Sequence, residues 1–334
     1  MKSLRHLLGT VFLPLLVVAC AAGQSQHLAS STDPDDESGL GGTGIIGAVT
    51  GFGSIFVNGV EVEVDRRTRL GVDGEAVADY RFERGDVVEI LAVGSSLMQA
   101  RRLGVRHEVI GPVEHVDART RRLRVLGQTV LAPPQAGALP QAGERVAVSG
   151  FRDAAGRIHA TRLAPAGPGP LLLRGPVTPG TGGIFRIGAQ PVRVTGGTPP
   201  APGVLVRVRG ELRGGVLEAG RLTRLDADPF GAAARRLLVQ GFVRRTAQGY
   251  AIDNVPFAVA GPAAPTTTRP VRLEIRRDGA GGWRLARVVD ERRMPLGRPT
   301  AAPRGGMRWR APGFPAGPAG MPRMPSGMGG RPGR

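Results

Sequence analysis

The phrase Gly-x-Val returns four times in this chain, at Gly47-Ala48-Val49, Gly111-Pro112-Val113, Gly175-Pro176-Val177 and Gly241-Phe242-Val243, at intervals of 64, 64 and 66 residues. Later landmarks keep step with it. Turn signals fall at Asn58-Gly59, Gly127-Gln128, Gly188-Ala189 and Asp253-Asn254. Further on, Gly85, Gly143, Gly203 and Pro270 are each followed at the third and fifth position by apolar residues: Val88 and Ile90, Val146 and Val148, Val206 and Val208, Leu273 and Ile275. Each copy closes on a basic-apolar pair, Arg102-Leu103, Arg162-Leu163, Arg221-Leu222 and Arg287-Val288. A chain with this period folds as repeated small units, each built the same way, and not around one large core.

Apolar residues alternate between the landmarks with period two, and Asn-Gly between such runs is the strongest short hairpin signal. Each unit of roughly 60 residues therefore holds about five short strands, and no stretch reads as a helix. The predicted fold class is all-β, a tandem array of about four OB-like barrels, because closing five antiparallel strands into a ring removes exposed edges. SH3-like barrels or paired sheets are the alternative. The predicted modules span 43–106, 107–166, 170–227 and 235–293. A unit this small buries a modest core, so contacts between units are expected to supply stability.

The repeat also disposes of a GxGxxG pattern at Gly42, Gly44 and Gly47, followed by Asp65. A dinucleotide loop needs a strand before it and a helix after it. Here Val-Thr-Gly-Phe-Gly-Ser-Ile-Phe-Val follows Gly47, rich in strand formers, and the other three copies carry no glycine loop. No cofactor is expected.

Three stretches resemble the bacterial domain of unknown function 5666 family: Thr43-Gly-Ile-Ile-Gly-Ala-Val-Thr-Gly-Phe-Gly-Ser-Ile-Phe-Val-Asn-Gly-Val60, Leu123-Arg-Val-Leu-Gly-Gln-Thr-Val130 and Val146-Ala-Val-Ser-Gly-Phe-Arg-Asp-Ala-Ala-Gly-Arg-Ile-His-Ala-Thr-Arg162. The resemblance covers residues 43 to 163 and fades after 170, where Gly-Phe-Gly-Ser is missing. It implies an exported protein with tandem copies of the domain, and it carries across no catalytic residue.

The flanks point to the cell envelope. Lys2, Arg5 and His6 precede the apolar run Leu7 to Val18, too short to span a bilayer and ordered like a secretory signal. The run ends in Val17-Val18-Ala19-Cys20, which resembles a bacterial lipobox. That resemblance implies that residues 1–19 are removed and that Cys20, the single cysteine, is acylated. Ala21 behind it implies the outer membrane, facing the periplasm. Residues 20–42 are small, polar and acidic and read as a flexible tether. Residues 294–334 mix Pro, Gly, Met and seven arginines without an acid, and are expected to be a disordered, polycationic tail.

A formal charge of +18 suggests nucleic acid, yet Lys2 is the one lysine among 45 basic residues, and arginine arrives with 52 glycines and 29 prolines. That is the mixture a GC-rich genome favours whatever the function. Single-strand binders stack bases on aromatic side chains, whereas aromatics are 4% of this chain, so no nucleic-acid partner is expected. The five histidines lack metal-ligand spacing, Ser54 and Ser95 lack a nucleophile elbow, and Glu61, Glu63 and Asp65 alternate with valines as the outer face of a strand does. No catalytic residue and no metal site follow. The tail methionines Met294, Met307, Met321, Met324 and Met328 offer thioethers suited to copper(I), beside arginines that repel it. The candidate binding residues are the recurring Arg102, Arg162, Arg221 and Arg287. The expected function is that of a non-catalytic, lipid-anchored envelope protein whose modules bind an envelope protein or anionic polymer; copper handling by the tail, or an envelope enzyme of unrecognised type, is the alternative.

Overall fold

The computed structural model describes residues 41–95, 97–247, 249–259, 267–289 and 306–310. All lie in one compact unit, Ser38–Arg334. Cys20, His6, His27, the tether up to residue 40 and most of the tail fall outside the described residues, and Gly42, placed in the tether, opens the first strand.

The strands come in four sets. Module 1 contains β1 (Gly42–Gly51), β2 (Ile55–Val57), β3 (Val60–Glu63), β4 (Arg69–Val72), β5 (Glu75–Ala76), β6 (Asp79–Phe82), β7 (Val87–Val93) and β8 (Met98–Arg106). Module 2 contains β9 (Val109–Asp117), β10 (Arg122–Val125), β11 (Gln128–Leu131), β12 (Arg145–Arg152) and β13 (Ile158–Pro165). Module 3 contains β14 (Leu171–Thr178), β15 (Ile184–Ile187), β16 (Gln190–Val194), β17 (Leu205–Arg213) and β18 (Val216–Arg224). Module 4 contains β19 (Ala234–Gly241), β20 (Val243–Thr246), β21 (Gly249–Ile252), β22 (Val255–Phe257), β23 (Val271–Arg277) and β24 (Trp283–Val289). The one helical element among the described residues is a 3-10 turn, Gly231–Ala233.

In module 1 the pairings run β1-β2-β3-β8-β7 and back to β1, antiparallel except for the parallel step from β3 to β8. Modules 2 and 3 close by the same rule, β11 lying parallel to β13 and β16 parallel to β18. In module 4 the parallel closure shrinks to a bridge between Ala258 and Arg284. Five strands closed in the order 1-2-3-5-4 make an OB-like barrel, and each barrel fills its interior with the apolar half of its alternating residues. Modules 2 and 3 share a continuous core around Val109, Leu173 and Val208.

The Gly-x-Val glycine has a packing reason. The turn joining the second and third strands of each ring folds back onto it, so a Cβ would strike Asn58 at Gly47, Leu126 at Gly111 and Ile187 at Gly175, and would crowd Asp253 at Gly241. In module 2 that turn is Leu126-Gly127, one residue earlier than the sequence suggests, because Val125 pairs with Gln128. Leu126 adopts φ 44° and Gly127 φ 64° there, the left-handed pair of a two-residue hairpin. Module 4 also needs a correction: Gly241 faces Val271, as Gly47 faces Val88 and Gly175 faces Val206. Its strand therefore starts two residues before the Leu273 and Ile275 that the period selects. A β-bulge recurs at one register in all four rings, between Leu91 and Ala92, Ser149 and Gly150, Arg209 and Gly210, and Glu274 and Ile275.

The modules are tandem in sequence, but their contacts in space are not confined to sequence neighbours. β1 lies parallel to β19, joining module 1 to module 4, while β9 pairs antiparallel with β14, joining module 2 to module 3. Gly42 and Gly44 serve this contact, since a Cβ at Gly44 would collide with Leu237 and Phe230, and one at Gly42 with the Ala233 carbonyl. The glycine-rich stretch is thus a strand pressed against another strand. The tail also departs from expectation within its described part. Met307–Arg310 forms a strand, β25, antiparallel to β6, and Trp309 is buried in the core of module 1 beside Phe82.

Candidate functional site

Where the four modules meet, the chain buries charge. Glu108, from the short link between modules 1 and 2, accepts hydrogen bonds from Arg174 Nη1 and Arg152 Nε, both at 2.8 Å. Burial opposes its charge, but Arg174, Arg152 and Arg106 outweigh burial and hold the carboxyl below the usual carboxylate range. Arg106, ending module 1, forks onto Asp253 of module 4 at 2.6 and 2.7 Å and reaches Glu89 at 3.0 Å. Burial again opposes the charge, and Asp253 with Glu89 and Glu108 more than offsets it, so the guanidinium is held protonated. Arg152 Nη1 donates to Gln128, whose amide in turn donates to Ile187 of module 3. One connected network thus spans all four modules.

Beside this network a cleft of about 410 Å³ opens between modules 1, 3 and 4. Six arginines line it: Arg69 and Arg102 on neighbouring strands β4 and β8, Arg106, Arg174, Arg207 on β17, and Arg224 at the end of β18. The lining acids are Asp73, Glu75, Glu89, Asp226 and Asp253. Most are already engaged. Asp73 accepts the His107 backbone N–H at 2.7 Å and lies 2.8 Å from its Nδ1, Glu75 pairs with Arg209 and Arg221, and Glu89 and Asp253 are held by Arg106.

The recurring arginines take equivalent places, each facing the residue just before the bulge: Arg102 opposite Leu91, Arg162 opposite Ser149, Arg221 opposite Arg209 and Arg287 opposite Glu274. The structure does not gather them into one site. Arg162 pairs with buried Asp86 of module 1 at 3.0 Å, Arg221 reaches Glu75 at 3.4 Å, and Arg287 pairs with Glu274 at 2.6 Å. Arg102 alone of the four lines the cleft, donating to the Pro229 carbonyl at 2.7 Å. Sequence reasoning missed Arg69, Arg207 and Arg224 because it looked for recurrence. The counterparts of Arg207 in the other rings are Glu89, Ala147 and Arg272, facing Ile46, Ile110 and Gln240 as Arg207 faces Arg174.

Among the remaining candidates, His159 binds Asp153 at 2.9 Å and packs on Phe242, and His115 is exposed. No group of three or more His, Cys, Asp or Glu among the described residues is placed to hold a metal ion. Met307 packs against the module 1 core, and the other tail methionines lie outside the described residues.

The family model described as domain of unknown function (DUF5666) matches residues 43–101 and 110–164, so modules 1 and 2 are two copies of that domain. Modules 3 and 4, with the same ring order, lie beyond the match. No curated protein and no solved structure matches the chain.

Proposed function

We propose that this protein is a non-catalytic binding protein of the cell envelope, anchored by a lipid on Cys20, in which modules 1, 3 and 4 frame a cleft for an anionic partner, a polymer or a protein. The observation that carries the reading is the convergence of six arginines, three from module 1 and three from module 3, on one cleft. Guanidinium forks bind and orient anions and do not exchange protons near neutral pH, which favours binding over catalysis. The carboxylates beside them are mostly engaged with arginine or His107, and so act as supports for the wall.

Two experiments test it. A photo-crosslinker at exposed Ala227, on the cleft rim, is expected to capture a partner in intact cells that the same probe at Ala155, in a turn of module 2 outside the cleft, does not. Identical products from both positions would remove the cleft from the proposal. Changing Cys20 to Ala is expected to release the protein from membranes washed in high salt; a variant that still sediments with them rules out the lipid anchor.

A further inference from the structure

We infer that Arg207, with Arg69 and Arg224, forms a phosphate-binding subsite within this cleft, a specification that rests on the cleft being the binding site. Among the described residues, each of the other arginines that are buried or half-buried, from Arg106 and Arg174 to Arg209 and Arg277, has a hydrogen bond or ion pair. Arg207 is half-buried and has neither.

Its surroundings make that a cost. Arg207 faces Arg174 across the β14–β17 pair, and like charges directly opposite destabilise a ladder. Burial first, and then Arg209 and Arg174, lower its hold on the proton in spite of Asp73 and Glu89. Neither acid is free to pair with it, for His107 takes Asp73 and Arg106 takes Glu89. Its guanidinium lies against the backbone of Gly74, where a Cβ would overlap its Cζ and Nη1. A partly desolvated cation without a partner is expensive to keep, and local conflicts of this kind are expected at functional positions.

Arg69 and Arg224 line the same cleft, exposed and without a hydrogen bond or ion pair. Asp226, on the rim, is the one lining acid likewise without a pair. Among the lining groups with neither a hydrogen bond nor an ion pair, the balance is three cations against one anion. A single carboxylate is satisfied by one bidentate fork, whereas three guanidiniums presented by β4, β17 and β18 suit a group with three or more anionic oxygens, that is, phosphate or pyrophosphate.

The test is calorimetric titration of the full chain with inorganic pyrophosphate, and with succinate as a dicarboxylate control, at low salt. Pyrophosphate is expected to bind and succinate to bind at least tenfold more weakly, with R207Q reducing pyrophosphate affinity by tenfold or more. Because Arg207 makes no bond in the fold, R207Q is also expected to melt at the wild-type temperature or above it. Absence of pyrophosphate binding, equal affinity for succinate, unchanged affinity in R207Q, or early unfolding of R207Q each overturns the phosphate subsite. If the Ala227 crosslink persists while pyrophosphate fails to bind, the cleft stays a partner site without this chemistry; loss of both removes the reading on which it rests.

Discussion

Glu108 shows how much a single side chain holds at the module junction. Its carboxylate, itself almost fully buried, pairs with both Arg152 and Arg174. Removing one member of a buried, hydrogen-bonded charge cluster leaves the others uncompensated and costs about 3–5 kcal/mol. E108Q is therefore expected to lower stability by that order at pH 7, read from urea unfolding. The acid dependence has a defined sign. A carboxyl held below its ordinary value stabilises the fold above the unfolded carboxylate range, near pH 4.3, and that contribution is lost as pH falls through its folded value. Wild type should lose stability steeply below about pH 4, and E108Q should show a shallower acid limb because its contribution is already gone. Parallel limbs would mean that Glu108 does not govern acid sensitivity. None of this network was legible in the sequence, since Glu108, Arg152 and Asp253 occupy non-equivalent places in their repeats and only the packing of the four rings brings them together.

At the scale of the element, the repeat was readable because strand alternation and turn chemistry are local. Asn58 and Gly59, both at positive φ, announce their hairpin without help from the rest of the chain. The bulges were not readable, for an extra residue in a ladder leaves no mark when small or polar residues such as Arg101, Thr161, Gly220 and Ala286 fill it. β25 escaped for a related reason. Four residues among prolines, glycines and arginines carry no period, and the strand exists because β6 has no other ladder partner among the described residues and Trp309 finds a place beside Tyr80 and Phe82. Arg308 adds an ion pair with Asp79 at 2.7 Å, worth little at an exposed site. Trp309 should supply most of the attachment. Changing Trp309 to Ala is expected to cost about 3–5 kcal/mol by emptying a large buried volume, and to expose Tyr80, measured by thermal unfolding and tyrosine solvent accessibility. A variant as stable as wild type would show that β25 is dispensable to module 1.

At the scale of the whole molecule, sequence neighbours are only part of what each barrel touches. A string of repeats in which each unit meets only the next can unfold piece by piece. Here the first module is zipped to the fourth along β1 and β19, Leu238 of module 4 enters the core of module 1, and Ile46 of module 1 enters the core of module 4. Ala48, Val87, Phe151 and Phe242 form a further apolar contact drawn from modules 1, 2 and 4. Opening one barrel therefore exposes apolar surface and buried charge of its neighbours, which argues for one cooperative unit. The two tryptophans of the chain report on different barrels, Trp283 in the core of module 4 and Trp309 in that of module 1. In variants carrying Trp283→Phe or Trp309→Phe, the remaining tryptophan follows one module alone. Their urea transitions, each referred to the circular dichroism of the same variant, should coincide with the global loss of strand structure, as two-state unfolding requires. A tryptophan transition well separated from the circular dichroism midpoint in either variant would mean that the barrels unfold independently, and that the cleft between modules 1, 3 and 4 is held by contacts weaker than those described.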